Sequence, residues 1–450
     1  MFRAAGFGFP LLLAASLPAQ SPEIAITGVT VIDGTAPAPR LDQTVLIRGN
    51  RIAAVGPSRS IAVPRGARVI AGGGRYLIPG LWDMHVHTDV PAGEAVLGLY
   101  LARGVLGVRD LAGDWARISR WRREIAAGRL AGPRIMASGP YLEGGDVPIP
   151  HILARNPEEA RRAVDSLARL GVDVVKLHSQ LTRDAYLAAA SEARRRGLRV
   201  AGHVPRSVGA ALASDSGVGS LEHLLQIPIP CTPAESIRLV PRFPIQRVLG
   251  ECSSADPGPL FARFVANRTW VVPTLTASVE IARWPRRELP GDTVSAFLPD
   301  TLEHFVAGIF PMPADVPPGA DTIGAVLFEK RLELVGLMHR AGVLILPGTD
   351  APLRNSPPGF GLHGELVLLV QAGFTLFEAL RAATLLPARY FGIDSLGAIA
   401  PGYLADLVLL EADPLADIAN TARIAAVLAN GRWYGDAEIR RLLTAAGSAP

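Results

Sequence analysis

Two histidines stand two apart in Gly80-Leu81-Trp82-Asp83-Met84-His85-Val86-His87, at the end of an apolar run that reads as a strand. Residues two apart on a strand share a face, so both imidazoles can reach one metal ion. Three more ligand-type residues close similar runs: His203 in Ala201-Gly202-His203-Val204, His223 in Leu221-Glu222-His223, and Asp350 at the end of Val343 to Asp350. Lys176 differs in kind. It lies inside Val172-Asp173-Val174-Val175-Lys176-Leu177, where a charged amine is costly and shifts toward neutrality. Of the 45 basic residues only Lys176 and Lys330 are lysine. In so arginine-rich a chain, a buried lysine either pairs with a buried carboxylate or does chemistry that guanidinium cannot. A neutral amine is a nucleophile, whereas arginine never deprotonates.

The elements that must carry these residues alternate. Asn156-Pro157 opens a helix that closes at Gly171, with Asn as N-cap, Pro in the first turn and Gly past the end. A buried strand follows through Lys176. Thr182 caps a helix that ends at Gly197, and Arg199 to Val204 is the next strand. Thr375-Leu376-Phe377-Glu378 is a capping box for a last long helix. Strands beginning near Leu81, Val105, Arg134, Val172, Arg199, Ser220, Trp270 and Val343 predict parallel βαβ units. Their number and spacing fit a (β/α)8 TIM barrel over residues 78–395, with catalytic residues at the C-terminal strand ends. Short alternating segments with turn residues at 20–77 and 396–450 predict a small β-sandwich domain built from both termini. The proline-rich stretches Leu224 to Arg268 and Thr276 to Gly319 exceed ordinary loops and are lid candidates.

At 450 residues, and about 150 per domain, two or three domains are expected. With 49% hydrophobic and 19% charged residues the chain is neither disordered nor coiled coil. Net charge is +4 and no Lys/Arg block interleaves with aromatics, so nucleic acid is not an expected partner. Residues 1–19 read as a secretory signal: Arg3, an apolar stretch from Ala4 to Ser16, then Leu17-Pro18-Ala19 as the cleavage region. No later window is long and apolar enough to span a bilayer, so the expected product is soluble and exported, periplasmic or extracellular. In that oxidising setting Cys231 and Cys252 are either two free thiols or a bridge closing a loop of about 20 residues, worth about 3 kcal/mol.

Taken together, these residues resemble the metal-dependent amidohydrolase superfamily, in its imidazolonepropionase-like and prolidase-like branch. The resemblance runs from about Ile24 to Arg432. It rests on Gly80 to His87, Gly202-His203-Val204-Pro205, Leu221-Glu222-His223, Val272-Pro273-Thr274-Leu275, Gly348-Thr349-Asp350 and Ala405-Asp406-Leu407-Val408. It implies two divalent ions, most often zinc, with His85, His87 and Asp350 on the first and His203 and His223 on the second. Lys176, N-carboxylated by CO2, would bridge them. A bridging water would become hydroxide, one ion would polarise the substrate carbonyl, and Asp350 would take a proton and return it to the leaving group.

The resulting expectation is an exported binuclear hydrolase that cleaves an amide, peptide-like or cyclic amide bond in a small or short peptide-like substrate. The same hydroxide would attack a lactone or phosphotriester. A mononuclear deaminase on this barrel would lack the bridging lysine, and a non-catalytic binding barrel would lack ligands. Self-association into a homo-oligomer is left open. Around the ligands, His178 shares the strand face of Lys176 and is either a substrate contact or a structural hydrogen-bonder. His363, Tyr141 and Arg354 follow strand ends and are candidate substrate contacts. Arg109-Asp110 reads as a structural ion pair. Glu222, on the opposite strand face from His223, reads as a supporting or structural residue. His151, His304 and His339 read as surface or loop histidines.

Overall fold

A computed structural model describes residues 23–91, 93–147, 150–238, 252–282, 300–309, 320–353 and 356–447. The expected signal segment, Arg354 and parts of both lid candidates lie outside the described residues. Among the described residues no helix is long and apolar enough to cross a membrane.

Strands from both ends of the chain join one mixed sheet of eight strands. Glu23–Val31 pairs antiparallel with Arg40–Arg48, and parallel first with Arg68–Ala71 and then with Tyr76–Pro79. Tyr76–Pro79 in turn pairs with Leu407–Leu410, which brings in Ile424–Ala429 and Arg432–Tyr434. Alternate residues of these strands, among them Ile24, Ile26, Val45, Ile47, Leu77, Leu407 and Leu409, bury a separate apolar core.

The middle of the chain is α/β. Leu81–Val86, Val105–Asp110 and Arg134–Ala137 form one parallel sheet. Tyr141–Glu143, His151–Leu153, Val174–Leu177, Arg199–Gly202, Ser220–Glu222 and Trp270–Val272 form another. The short strands at Tyr141 and His151 were not among those expected. The helix signals hold: Asn156 accepts from the Glu158 and Glu159 amides, Thr182 accepts from the Ala185 amide, and Thr375 with Glu378 forms the full capping box.

Two elements differ from expectation. The eighth segment is not a regular strand. It makes a single bridge from Ile345 to Val271, and a further bridge joins Ala351 to Val86. Pro347 has no N–H, and Asp350 sits at φ 60°, so the chain turns toward the site instead of continuing a ladder. The expected last long helix is broken into Leu376–Ala382 and Leu385–Phe391. Pro387 cannot donate to the Ala383 carbonyl four residues earlier, so a continuous helix is unavailable there.

Candidate metal centre

The Leu81–Val86 strand delivers His85 into the interior, fully buried, and His87 just beyond it. Asp350 reaches them from the irregular eighth segment, because its amide bonds the His85 carbonyl at 2.8 Å. Its Oδ1 lies 3.0 Å from His87 Nε2 and 3.3 Å from His85 Nε2. The three candidate ligand atoms all lie within 4.8 Å of one another. A second pair of imidazoles closes on the first: the ring of His223 is 4.4 Å from that of His85, and His203 is 4.8 Å from His223.

Local backbone geometry aims these rings. His223 and Asp350 adopt φ values of 62° and 60°, and Thr274, which bonds His223 Nδ1 at 2.8 Å, adopts 46°. Left-handed backbone is unfavourable for such side chains and persists where surrounding bonds enforce it. Arg331 donates to the His223 carbonyl, and Glu365 accepts the Leu275 and Thr276 amides immediately after Thr274. Asp83 holds the Thr349 amide and hydroxyl, at 3.0 and 2.6 Å, and so fixes the turn that presents Asp350. At Gly202, φ 147°, a Cβ would lie 2.0 Å from the Leu177 carbonyl oxygen, so only glycine lets His203 leave its strand here.

Lys176 Nζ is buried, 2% exposed, with no hydrogen-bond partner. Burial pushes this amine down to about 8, although Glu222 and Asp350 pull it back up. His85 and His203 are pushed well below the usual imidazole range by burial and then by Lys176; in His223 burial outweighs the pull of Asp350. Neutral imidazoles keep a lone pair for a ligand bond. Burial raises the Asp350 carboxyl, but the neighbouring imidazole of His223 and the hydrogen bond from His87 outweigh it and bring the group below the ordinary carboxylate range.

His85 Nε2 is also buried without a hydrogen bond, since its 3.3 Å approach to Asp350 is not aligned for one. Two orphaned buried nitrogens beside an ionised carboxylate need an explanation. An ion held by His85, His87 and Asp350 would give His85 Nε2 a partner, and imidazole nitrogens with a carboxylate oxygen are a donor set that fits a divalent metal.

Comparison with known proteins shows what the chain is similar to. Residues 292–434 match the amidohydrolase family. The crystal structure of a candidate prolidase from Bifidobacterium longum is similar over 95% of this chain and 99% of its own, with 25% identity and a TM-score of 0.71. The chain is thus similar to amidohydrolases, by family match over residues 292–434 and by fold over nearly its whole length. These similarities support a hydrolase acting on carbon–nitrogen bonds. An ochratoxinase of Aspergillus niger is 25% identical over 406 residues, 76% of this chain and 71% of that protein. An adenine deaminase of Mesorhizobium japonicum is 47% identical over 45 residues, only 10% of this chain and 7% of that protein.

The fold brings His85, His87, His203, His223, Lys176 and Asp350 into one cluster, in which His85 and Lys176 are buried and the other four are partly exposed. His178 joins its edge, 4.1 Å ring to ring from His203, with its Nδ1 paired to Glu143. Tyr141 follows at 4.7 Å from His178, its hydroxyl pushed up to about 12 by burial. His363 is turned elsewhere. Its Nδ1 meets Thr421 Oγ1 at 3.0 Å and its Nε2 meets the Arg103 carbonyl at 3.1 Å, which leaves no ring nitrogen for substrate. Arg109 does not pair with Asp110. It pairs with Glu222, and Asp110 instead accepts the amide and hydroxyl of Thr88. The alternation of the Ser220–Glu222 strand points Glu222 away from His223, yet this carboxylate bonds His85 Nδ1 at 2.8 Å. Sequence reasoning gave no role to Glu143, Ser179 or Thr274. The first pairs with His178, and the other two bond the Nδ1 atoms of His203 and His223. Cys231 and Cys252 form a disulfide.

Proposed function

We propose that this protein is an amidohydrolase that cleaves an amide or peptide-like bond of a small substrate at a two-metal centre. His85, His87 and Asp350 would hold one ion, His203 and His223 the other, and Lys176 would span both as a carbamate. The observation that carries the reading is Lys176: a buried amine without a hydrogen bond, close enough to His85, His178, His203, His223 and Asp350 to act on them electrostatically. Burial favours its neutral form, whose lone pair can add CO2, with release of one proton, to give a carboxylate in place of the amine. Bound divalent ions would acidify water and polarise a carbonyl. Asp350 would accept the proton of the attacking water and return it to the leaving nitrogen. His178 and Tyr141 line the cluster on the His203 side and would contact substrate there.

The ochratoxinase and prolidase relatives support an amide bond as the target. For the architecture we infer a closed (β/α)8 barrel. The Asp173 amide bonds the Ala137 carbonyl between the two parallel sheets, and the Met84 amide bonds the Pro347 carbonyl at the eighth segment. The switch of Glu23–Val31 from one parallel partner to another supports folding of the terminal sheet into a sandwich. Export with removal of residues 1–19 is supported by the disulfide, which persists in oxidising compartments.

The test is elemental analysis of purified protein, followed by assay of the zinc-loaded enzyme on dipeptides, N-acyl amino acids and lactones. About two ions per chain and turnover of a C–N substrate are expected. Full activity with one ion would remove the two-metal reading, and turnover of lactones alone would remove the amide reading.

A further inference from the structure

We propose that Glu222, clamped by Arg109 and Ser220, is a positioning residue that fixes His85 as a metal ligand and strengthens its donor nitrogen. The inference rests on the metal-centre reading above. Glu222 is fully buried, and each of its oxygens is committed. Arg109 Nη2 donates to both, at 2.8 and 2.9 Å, Ser220 Oγ donates to Oε1 at 2.6 Å, and His85 Nδ1 meets Oε2 at 2.8 Å. Arg109 is itself held by the Met84 carbonyl at 2.6 Å, by Ser220 Oγ at 2.8 Å and by the Tyr390 hydroxyl at 3.1 Å. The clamp thus ties the strands of residues 81–86, 105–110 and 220–222 to the Leu385–Phe391 helix.

A carboxylate facing a guanidinium offers only lone pairs, so the hydrogen of the His85 ring must be on Nδ1. The lone pair is then on Nε2, the orphaned atom that faces His87 and Asp350. His178, at the edge of the cluster and outside the proposed ligand set, likewise turns Nδ1 to a buried carboxylate, that of Glu143. His203 and His223 place Nδ1 against the hydroxyls of Ser179 and Thr274, which can donate or accept. A negative partner on Nδ1 also makes Nε2 more basic, as in carboxylate–histidine–zinc arrangements generally.

The test uses zinc itself and needs no substrate. Metal-free wild type, Glu222→Gln, the double variant Arg109→Met with Glu222→Gln, and Ser179→Ala are titrated with zinc against a chromophoric chelator. Unfolding midpoints of the metal-free proteins are measured in parallel. Glu222→Gln leaves Arg109 unpaired and can destabilise the fold by itself, whereas the double variant removes both charges and restores neutrality. Glu222→Gln is expected to weaken zinc binding about 10–100-fold. The double variant is expected to keep that loss with an unfolding midpoint near wild type, and Ser179→Ala to lose less. In wild type, nitrogen shifts of the His85 ring should report hydrogen on Nδ1. Wild-type zinc affinity in the double variant would overturn the proposal, because the loss in the single variant would then come from the unpaired arginine. Failure of wild type to bind zinc would overturn the metal-centre reading first, and this proposal with it.

Discussion

Lys176→Met separates stability from function at the centre of this site. The amine is buried, lacks a hydrogen-bond partner and sits among neutral rings. In the metal-free protein that arrangement costs the fold about 1–3 kcal/mol, the usual penalty for an unsatisfied buried polar group. Methionine has similar length and no polar atom, so the metal-free variant should be more stable than wild type by that amount. With a denaturant slope of about 3 kcal/mol/M, the urea midpoint rises by ~0.3–1 M. The same change should abolish two-metal binding and hydrolysis. Lys176→Arg keeps the charge but cannot form a carbamate, so it should also lose at least one ion. Lys176→Ala should regain some rate when a short-chain carboxylic acid is added. Urea titration of metal-free proteins and zinc analysis after reconstitution check both halves. A methionine variant less stable than wild type, or one that retains two zinc ions at near wild-type rate, would refute the reasoning.

Gly202→Ala should destabilise by about 3 kcal/mol and weaken metal binding, because the new Cβ meets the Leu177 carbonyl oxygen at 2.0 Å where His203 leaves its strand; a denaturation midpoint at the wild-type value would contradict this. Burial pushes Glu365 up from 4.5 to about 8, so its folded form binds a proton more tightly than its unfolded form. The stability it contributes is complete below pH 4.5 and is lost as pH rises through about 8, and Glu365→Gln should remove that part of the slope; identical slopes in midpoint-versus-pH curves would count against it. Replacing Cys231 and Cys252 by serine should cost up to about 3 kcal/mol by loop entropy, read as a midpoint shift that reductant reproduces in wild type.

What the sequence determined by itself was the inventory of chemistry and the order of elements. Strand period and strand ends located His85, His87, His203, His223 and Asp350, because side-chain direction along a strand is a local property. The lone interior lysine was legible because arginine fills nearly every other basic position. Caps at Asn156, Thr182 and Thr375 were legible for the same local reason. Only the tertiary structure decided partners. Period two gives the face of Glu222 but not that His85, 137 residues away, meets it there, nor that Arg109 prefers it to adjacent Asp110. It likewise left open whether His363 faces the metal cluster or Thr421, and whether Cys231 finds Cys252. Those choices depend on which chain segments pack side by side, and no local pattern encodes the contacts between segments distant in sequence.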